Sequence, residues 1–345
     1  MADILVPWLF VPGATASLPN RGKGRMSPAW LLAAFASLAP ANAPAQTNYP
    51  DRPIRIVVPF APGSIPDLLS RLVGDKLTAK WGQPIIVENR PGASGNVGAE
   101  TVARAEPDGY TLLSAPPPPI AINQHLFPKL NFDPGAFAPI TVIAAAPNVL
   151  VAHPDLPASN VQEMIGYAKA NPGKLNGGST GNGGTPHLTL EMLMSAAGVK
   201  MTHVPYSRGL PPALVDLFAG RIDVMFVNLA DALPHVRSGK LKAIAVASET
   251  RIPELPDTAA IAETLPGFRS TTWYAVVAPP KTPAEIVAKL STEVAEILRM
   301  PAVAKRLQDL AATPVGTSPE QSGAFIKAES DRWRNVILSA GVKLE

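Results

Sequence analysis

The 345-residue chain contains no cysteine, so disulfides, thiolate metal sites and cysteine nucleophiles are excluded. A chain of this length can bury its own core without such staples, as two domains or as one large α/β domain. Histidine is scarce, with five residues and no metal-ligand spacing among them, and without cysteine a zinc site would need scattered carboxylates. Charged residues make up only 17% and no basic run carries interleaved aromatics, which argues against a nucleic-acid partner. No stretch reaches the roughly 18 uninterrupted apolar residues of a membrane span. Hydrophobic residues nevertheless reach 46%, which excludes a disordered chain. Proline is abundant, 39 residues spread along the whole sequence, and it punctuates many short elements.

The N-terminal region reads as an export signal. Arg21, Lys23 and Arg25 form a basic segment, Ala29 to Ala39 an apolar one, and Ala43-Pro44-Ala45 a small-x-small cleavage site. Residues 1–45 are thus expected to be a signal region, with the mature chain starting near Gln46 and the start codon, Met1 or a later one, left open. Beyond residue 45 the chain holds 27 basic and 26 acidic residues, so most of the apparent basicity belongs to the signal.

Hydrophobic periodicity predicts a βαβαβ run. Ile54–Val58 is a strand, Leu68, Leu69, Leu72, Val73 and Leu77 share one helical face, Ile85–Val87 is a strand, and a helix ends near Val102–Ala105 before the strand Tyr110–Leu113. A second α/β unit follows from about Val149, with a helix from Asn160 to Ala170 capped by Ser159 or Asn160. It continues with strands at 199–204, 223–227 and 242–247 and helices at 211–218 and 231–237. After the strand Thr272–Val277 the chain is helical at 283–299, 301–310 and 319–339, each segment opening on proline, and these helices are expected to cover the first unit.

Two glycine-containing turns, Pro59 to Asp67 and Gly177 to Thr185, each precede an amphipathic helix and carry small hydroxyls but no lysine. A helix start presents unpaired N–H groups and a partial positive charge, so the pair reads as an anion clamp. Asp67, just inside its helix, suits either a capping role or a ligand contact, and His187 favours capping or packing over metal ligation. The small residues of Gly92–Gly98 are expected to let a helix pack closely on the sheet. Tyr206-Ser207-Arg208 falls between a strand and a helix on the same edge as the clamp, where Arg208 could neutralise a distal carboxylate or stand solvated.

Gly177-Gly178-Ser179-Thr180-Gly181 also matches the nucleophile elbow of serine hydrolases, with Asp223 or Asp231 and His235 completing a triad order. An elbow needs a buried strand directly before it and a helix directly after. Lys174-Leu175-Asn176 is short and polar, and four residues separate Gly181 from the helix, so a binding turn is the preferred reading and a secreted hydrolase the alternative.

Several blocks in order resemble the Bug family, extracytoplasmic solute receptors of tripartite tricarboxylate transporters. They are Tyr49-Pro50-Asp51-Arg52-Pro53-Ile54, Val58-Pro59-Phe60-Ala61-Pro62-Gly63 with Asp67, Val87-Glu88-Asn89-Arg90-Pro91-Gly92-Ala93, and Pro107-Asp108-Gly109-Tyr110-Thr111-Leu112-Leu113. Farther on stand Asn171-Pro172-Gly173-Lys174-Leu175-Asn176, Val204-Pro205-Tyr206, Leu233-Pro234-His235-Val236-Arg237-Ser238-Gly239-Lys240-Leu241 and Pro266-Gly267-Phe268 with Trp273-Tyr274. The resemblance implies an α/β, two-lobed periplasmic-binding-protein (Venus flytrap) fold with a mainly parallel sheet in each lobe and C-terminal helices. Lobe 1 would comprise 46–149 and 270–345, lobe 2 150–269. It implies a periplasmic, monomeric, non-enzymatic protein without cofactor or metal. Such a protein closes on a small dicarboxylic, tricarboxylic or aromatic acid and presents it to membrane transporter components or to a membrane sensor.

Ligand-binding positions carried over from the family are Phe60, Ala61, Pro62, Gly63, Ser64, Ile65 and Asp67, then Ser114 and Ala115. In the second lobe they are Ser179, Thr180, Gly181, Asn182, Gly183, Gly184, Thr185 and His187, with Tyr206, Ser207 and Arg208. The chain departs from the usual Gly-Gly-Gly-Thr-Asp at Gly63-Ser64-Ile65-Pro66-Asp67, where Ile65 adds bulk and Pro66 removes an N–H. It departs again at Ser207-Arg208-Gly209 and Val227-Asn228-Leu229, and has a stiff Pro116–Pro119 run. These departures favour an acid with an apolar or aromatic body over an amino acid.

Overall fold

The computed structural model describes residues 49–342. The expected signal segment and the mature start near Gln46 lie outside the described residues. Strand β1 (Ile54–Val58), helix α1 (Ile65–Trp81), β2 (Ile85–Asn89), α2 (Asn96–Ala103) and β3 (Thr111–Ala115) form the anticipated βαβαβ run, with β1 pairing in parallel with both β2 and β3. Gly98 lets α2 lie on β1: a Cβ there would sit 2.7 Å from Pro59 Cβ and 3.0 Å from its Cα.

The next strand, β4 (Ala138–Ala152), was not legible from periodicity, and it organises the molecule. Its first half pairs antiparallel with β9 (Thr271–Ala278) and the short β10 (Thr313–Pro314). From Asn148 onward it pairs instead with β7 (Val224–Asn228) and β8 (Lys242–Val246), again antiparallel. Pro147 stands where the partners change, so its missing N–H falls at the seam of the ladder. The strand order is β2-β1-β3-β9-β4-β7-β5-β6, with β5 (Asn176–Ser179) and β6 (Thr202–Pro205) parallel to each other and to β7. The sheet is therefore mixed: two parallel trios joined by antiparallel strands.

The remaining helices are α3 (Val161–Ala170), α4 (Thr185–Ala197), α5 (Leu210–Phe218), α6 (Leu229–Arg237), α7 (Ala284–Leu298), α8 (Pro301–Asp309) and α9 (Pro319–Ala340). Asn160, not Ser159, caps α3 by accepting from the Glu163 N–H, while the Ser159 N–H donates to the Glu163 carboxylate. Helix α7 packs with α1 on the β1–β3 half, where Ile56, Leu112, Leu290 and Ile297 share one apolar cluster. Helix α9 reaches farther than expected, because Trp333 and Ile337 also bury Leu188 of α4. Pro118 and Pro119, expected only as part of the stiff Pro116–Pro119 run, continue with 120–122 into a buried π-type turn.

The first residues of the second glycine turn are strand, not turn. Gly177 and Gly178 lie in β5 because the sheet is pressed from both faces: a Cβ on Gly177 would meet Leu190 at 2.4 Å, and one on Gly178 would meet Ile222 at 2.4 Å.

Candidate functional site

At the end of β1 the chain turns through Pro59–Ser64 and enters α1 with Ser64 as N-cap and Pro66 in the first turn. Gly63 has φ +79°, a conformation that suits glycine. Asp67 fastens this turn. It is 2% exposed and accepts from the Gly63 N–H at 2.9 Å, from Arg71 at 2.9 and 3.1 Å, and from Asn89 Nδ2 at 3.0 Å. Burial alone would raise its pKa, but Arg71, the Gly63 N–H and Asn89 outweigh it and hold the carboxyl below its ordinary range. Its oxygens are thus committed to the turn and to Asn89, which also donates to the Phe60 carbonyl at 3.1 Å.

The side chains of Ser64 and Ser114 contrast with this. Both hydroxyl oxygens are buried and have no partner within the protein. Ser114 is fully buried at the end of β3, two residues beyond Leu112, so it points to the α1 face of the sheet. Ala115 points to the other face, where its methyl packs with Val57 and Ala99; only its backbone can serve a site.

The second turn leaves β5 at Ser179 and enters α4 behind the N-cap Gly184, with Pro186 in the first turn. Both helices therefore present first-turn N–H groups interrupted by one proline. Ser179 is fully buried; its Oγ lies 2.7 Å from His203 Nε2, accepts from the Gly181 N–H at 3.2 Å and lies 3.1 Å from the Gly181 carbonyl. The Gly183 N–H donates to His187 Nδ1 at 3.0 Å, and His187 Nε2 lies 3.4 Å from Glu191. The imidazoles of His187 and His203 stack with centroids 3.8 Å apart and planes 9° from parallel. Burial and the neighbouring His187 push the pKa of His203 down to about 4. His187 therefore supports the turn from behind.

His203 was missed in the sequence. The available signal was the register: β5 and β6 pair Gly177 with His203, so Ser179, two residues on, shares a face with that ring.

The Tyr206 N–H donates to the Ser179 carbonyl at 2.9 Å, joining the third candidate segment to the second. Its hydroxyl is spent on Asp216 at 2.6 Å, and burial together with that carboxylate pushes its pKa up to about 12. Ser207 and Arg208 are exposed at the start of α5. The second turn also meets the glycine-rich turn before α2: Ser94 Oγ donates to the Asn182 carbonyl at 3.3 Å, across 88 residues of sequence.

The triad of the hydrolase reading does not assemble. Asp223 accepts from the Asn176 N–H at 2.6 Å, His235 lies edge-on to Phe218, and Asp231 is a largely buried carboxyl whose pKa burial raises. Ser179 has a strand before it and a histidine in reach, but its hydroxyl is sealed inside the turn. An open groove of about 490 Å³ at the start of β1 and β3 belongs to no candidate site, and its arginines 52, 55 and 104 pair with Asp108, Glu88 and Glu100.

Strand ends facing helix starts in both halves of a mixed sheet define an α/β periplasmic-binding-protein fold. The chain belongs to the tripartite tricarboxylate transporter family of receptors, whose family profile matches residues 69–342. It is 34% identical to Protein BugT of Bordetella pertussis, over 91% of this chain and 98% of that one. Among solved structures, a Rhodopseudomonas palustris protein with adipate is 36% identical with a TM-score of 0.79, covering 86% of this chain and all of the other. MatC from the same species, with bound malate, is 35% identical with a TM-score of 0.75, covering 84% of this chain and all of the other. The family and these neighbours are solute-binding receptors.

Proposed function

We propose that this protein is a periplasmic receptor that captures a small carboxylate between two lobes, 46–149 with 270–345 and 150–269, and delivers it to the membrane components of a tripartite tricarboxylate transporter. The observation that carries the reading is the pairing of two helix starts, α1 and α4, at the ends of parallel strands, with the unpartnered buried hydroxyls of Ser64 and Ser114 beside the first. One carboxylate suits the first-turn N–H groups of α1 with Ser64, Ser114 and the Phe60–Ile65 backbone. The Ser179–Thr185 turn closes over it from the other lobe, with Ser207 and Arg208 at the outer edge. Adipate in one neighbour and malate in another support a dicarboxylate, and the Phe60 and Ile65 side chains add apolar surface beside the anion site.

The test is a thermal-shift screen of the purified mature protein against dicarboxylic, tricarboxylic and aromatic acids at pH 7.5. An acid at a hundred times its Kd adds about 2.7 kcal/mol to the folded state, a melting shift of several degrees at most. Failure of every acid to raise the melting temperature overturns the reading. Labelling of Ser179 by a fluorophosphonate would instead favour a hydrolase.

A further inference from the structure

We propose that His187 and His203 are positioning residues that hold the second turn in its anion-binding shape only as neutral imidazoles, so that carboxylate capture by this protein is linked to protons. The proposal rests on the carboxylate-receptor reading above for its consequence, but its physical basis is independent of any ligand. Each ring is tied to the turn itself. His187 Nδ1 accepts the Gly183 N–H, and His203 Nε2 is bonded to Ser179 Oγ, whose oxygen in turn accepts the Gly181 N–H. The stacked pair thus fixes three points of one glycine-rich turn, in which Gly181 and Gly183 have φ of +121° and +75°. A turn this rich in glycine has many other conformations, and without external ties it would lose its aligned N–H groups.

The hydrogen bonds dictate the protonation state. A backbone N–H can only donate, so His187 Nδ1 carries no proton and its Nε2–H faces Glu191. Adding a proton to Nδ1 leaves two donors head to head and breaks the tie to Gly183. A proton on His203 places a cation in a half-buried stack beside a second imidazole, which burial and that neighbour both oppose. Among the described residues, Asn182 and Glu191, with Ala340, Gly341 and Val342 at the end of α9, line a cavity of about 300 Å³ with the two rings. Glu191 is the acidic side chain among these lining residues: it faces His187 through Nε2, which is already protonated in the neutral tautomer, and its favourable effect on a charged His203 is outweighed by burial and His187.

The sign follows from linkage. The folded, turn-competent state keeps His203 neutral down to about pH 4, whereas a freed imidazole binds its proton near its ordinary value. The competent turn therefore loses ground as pH falls between those two values, and above them its contribution is complete.

The deciding experiment uses the full mature protein and replacements chosen by atom. His187→Asn keeps an acceptor in the place of Nδ1 and His203→Gln a polar group in the place of Nε2, both without a titrating ring; His187→Ala and His203→Ala remove the tie. In the unliganded protein, the Gly183 amide resonance is expected to keep its wild-type position in His187→Asn, where an acceptor remains, and to move in His187→Ala, where it is lost. With adipate, the alanine variants should bind about tenfold more weakly at pH 7.5, the loss of one hydrogen bond's worth of preorganisation, and the amide variants within a few-fold. Between pH 7.5 and 5 the ratio of wild-type to His203→Gln affinity should fall, because the acid's own protonation cancels in that ratio. A Gly183 amide that His187→Ala leaves in place, or an affinity ratio that is flat or rises toward low pH, overturns the proposal. Absence of adipate binding at pH 7.5 counts against adipate as ligand, and the Gly183 resonance in the two His187 variants still decides the role of the histidines.

Discussion

Asp67 shows how much of a turn can depend on one buried carboxylate. Its carboxylate draws together the Gly63 N–H, the Arg71 guanidinium and the Asn89 amide, and so shapes the segment from Phe60 to Ser64 that leads into α1. Asp67→Ala leaves the Gly63 N–H, the half-buried Asn89 amide and a half-exposed guanidinium without their acceptor, at an expected cost of about 1–2 kcal/mol, discounted for the exposure of Arg71. Asp67→Asn should recover part of that through the Gly63 bond while losing the Arg71 charge pair. Chemical denaturation of the three proteins at pH 7 checks the order. Because the folded pKa lies below its ordinary value, the contribution is complete above the unfolded value and vanishes as pH falls through the folded one. The gap between wild type and Asp67→Asn should therefore narrow only in strong acid. In the sequence, Asp67 was legible as a residue of a helix start, but a local pattern cannot show that Asn89 and Arg71 would use up its oxygens. His203 was illegible for a similar reason, since its value comes from strand register and from a ring on another helix.

Helix starts were the most readable elements, because proline and the capping residues act within one turn of chain. Strands were read well where β-branched residues cluster, as in β1 and β7, and poorly where the sheet supplies the reason for the strand. β4 carries Pro139 and Pro147 and a run of alanines, yet it is paired along its length, on one side over most of its first half and on both sides from Val149, because its neighbours bring the bulk. β5 contains two consecutive glycines, and its strand character comes from Leu190 and Ile222 pressing on either face. The expectation that α2 packs closely through its small residues can be tested against a glycine with room. Gly98→Ala forces a methyl to 3.0 Å from the Pro59 Cα and 3.1 Å from the Arg90 carbonyl, neither able to swing away, so a loss of about 1–3 kcal/mol is expected. Gly166→Ala, in the middle of α3 with nothing within 4 Å of the new methyl, should stabilise by about 0.5–1 kcal/mol. Melting curves of the two variants should move in opposite directions; a common direction would mean that α2 can slide on β1.

The two halves of the sheet communicate through few places. β4 crosses the seam, where buried Asn148 binds Ser270 and Thr272, and Ser270 Oγ lies 2.6 Å from Thr189 Oγ1 of α4. Helix α9 lies along one side of that seam and touches both halves. Against these permanent connections, the Ser94–Asn182 contact is a single hydrogen bond between loops, made by a turn in which Gly92, Ala93, Ser94 and Gly95 all have positive φ. Asn123 steadies that turn by donating to the Ser94 carbonyl at 3.1 Å. Backbone held in sparsely populated conformations persists where its surroundings over-determine it, and here it aims one hydroxyl at the opposing glycine turn. If the lobes close over a carboxylate, this bond forms on closing and breaks on opening, so it belongs to the lifetime of the bound state. Ser94→Ala is expected to remove about 0.5–1.5 kcal/mol from the closed form, speeding carboxylate release by up to about tenfold with little change in the association rate. If the bond is confined to the closed form, the melting temperature without ligand should stay within about 1 °C. Stopped-flow displacement of a bound acid measures the release rate directly. An unchanged release rate with a lowered ligand-free melting temperature would make Ser94 a structural tie within a fixed fold, and closure would then have to be sought in the Asn148 seam.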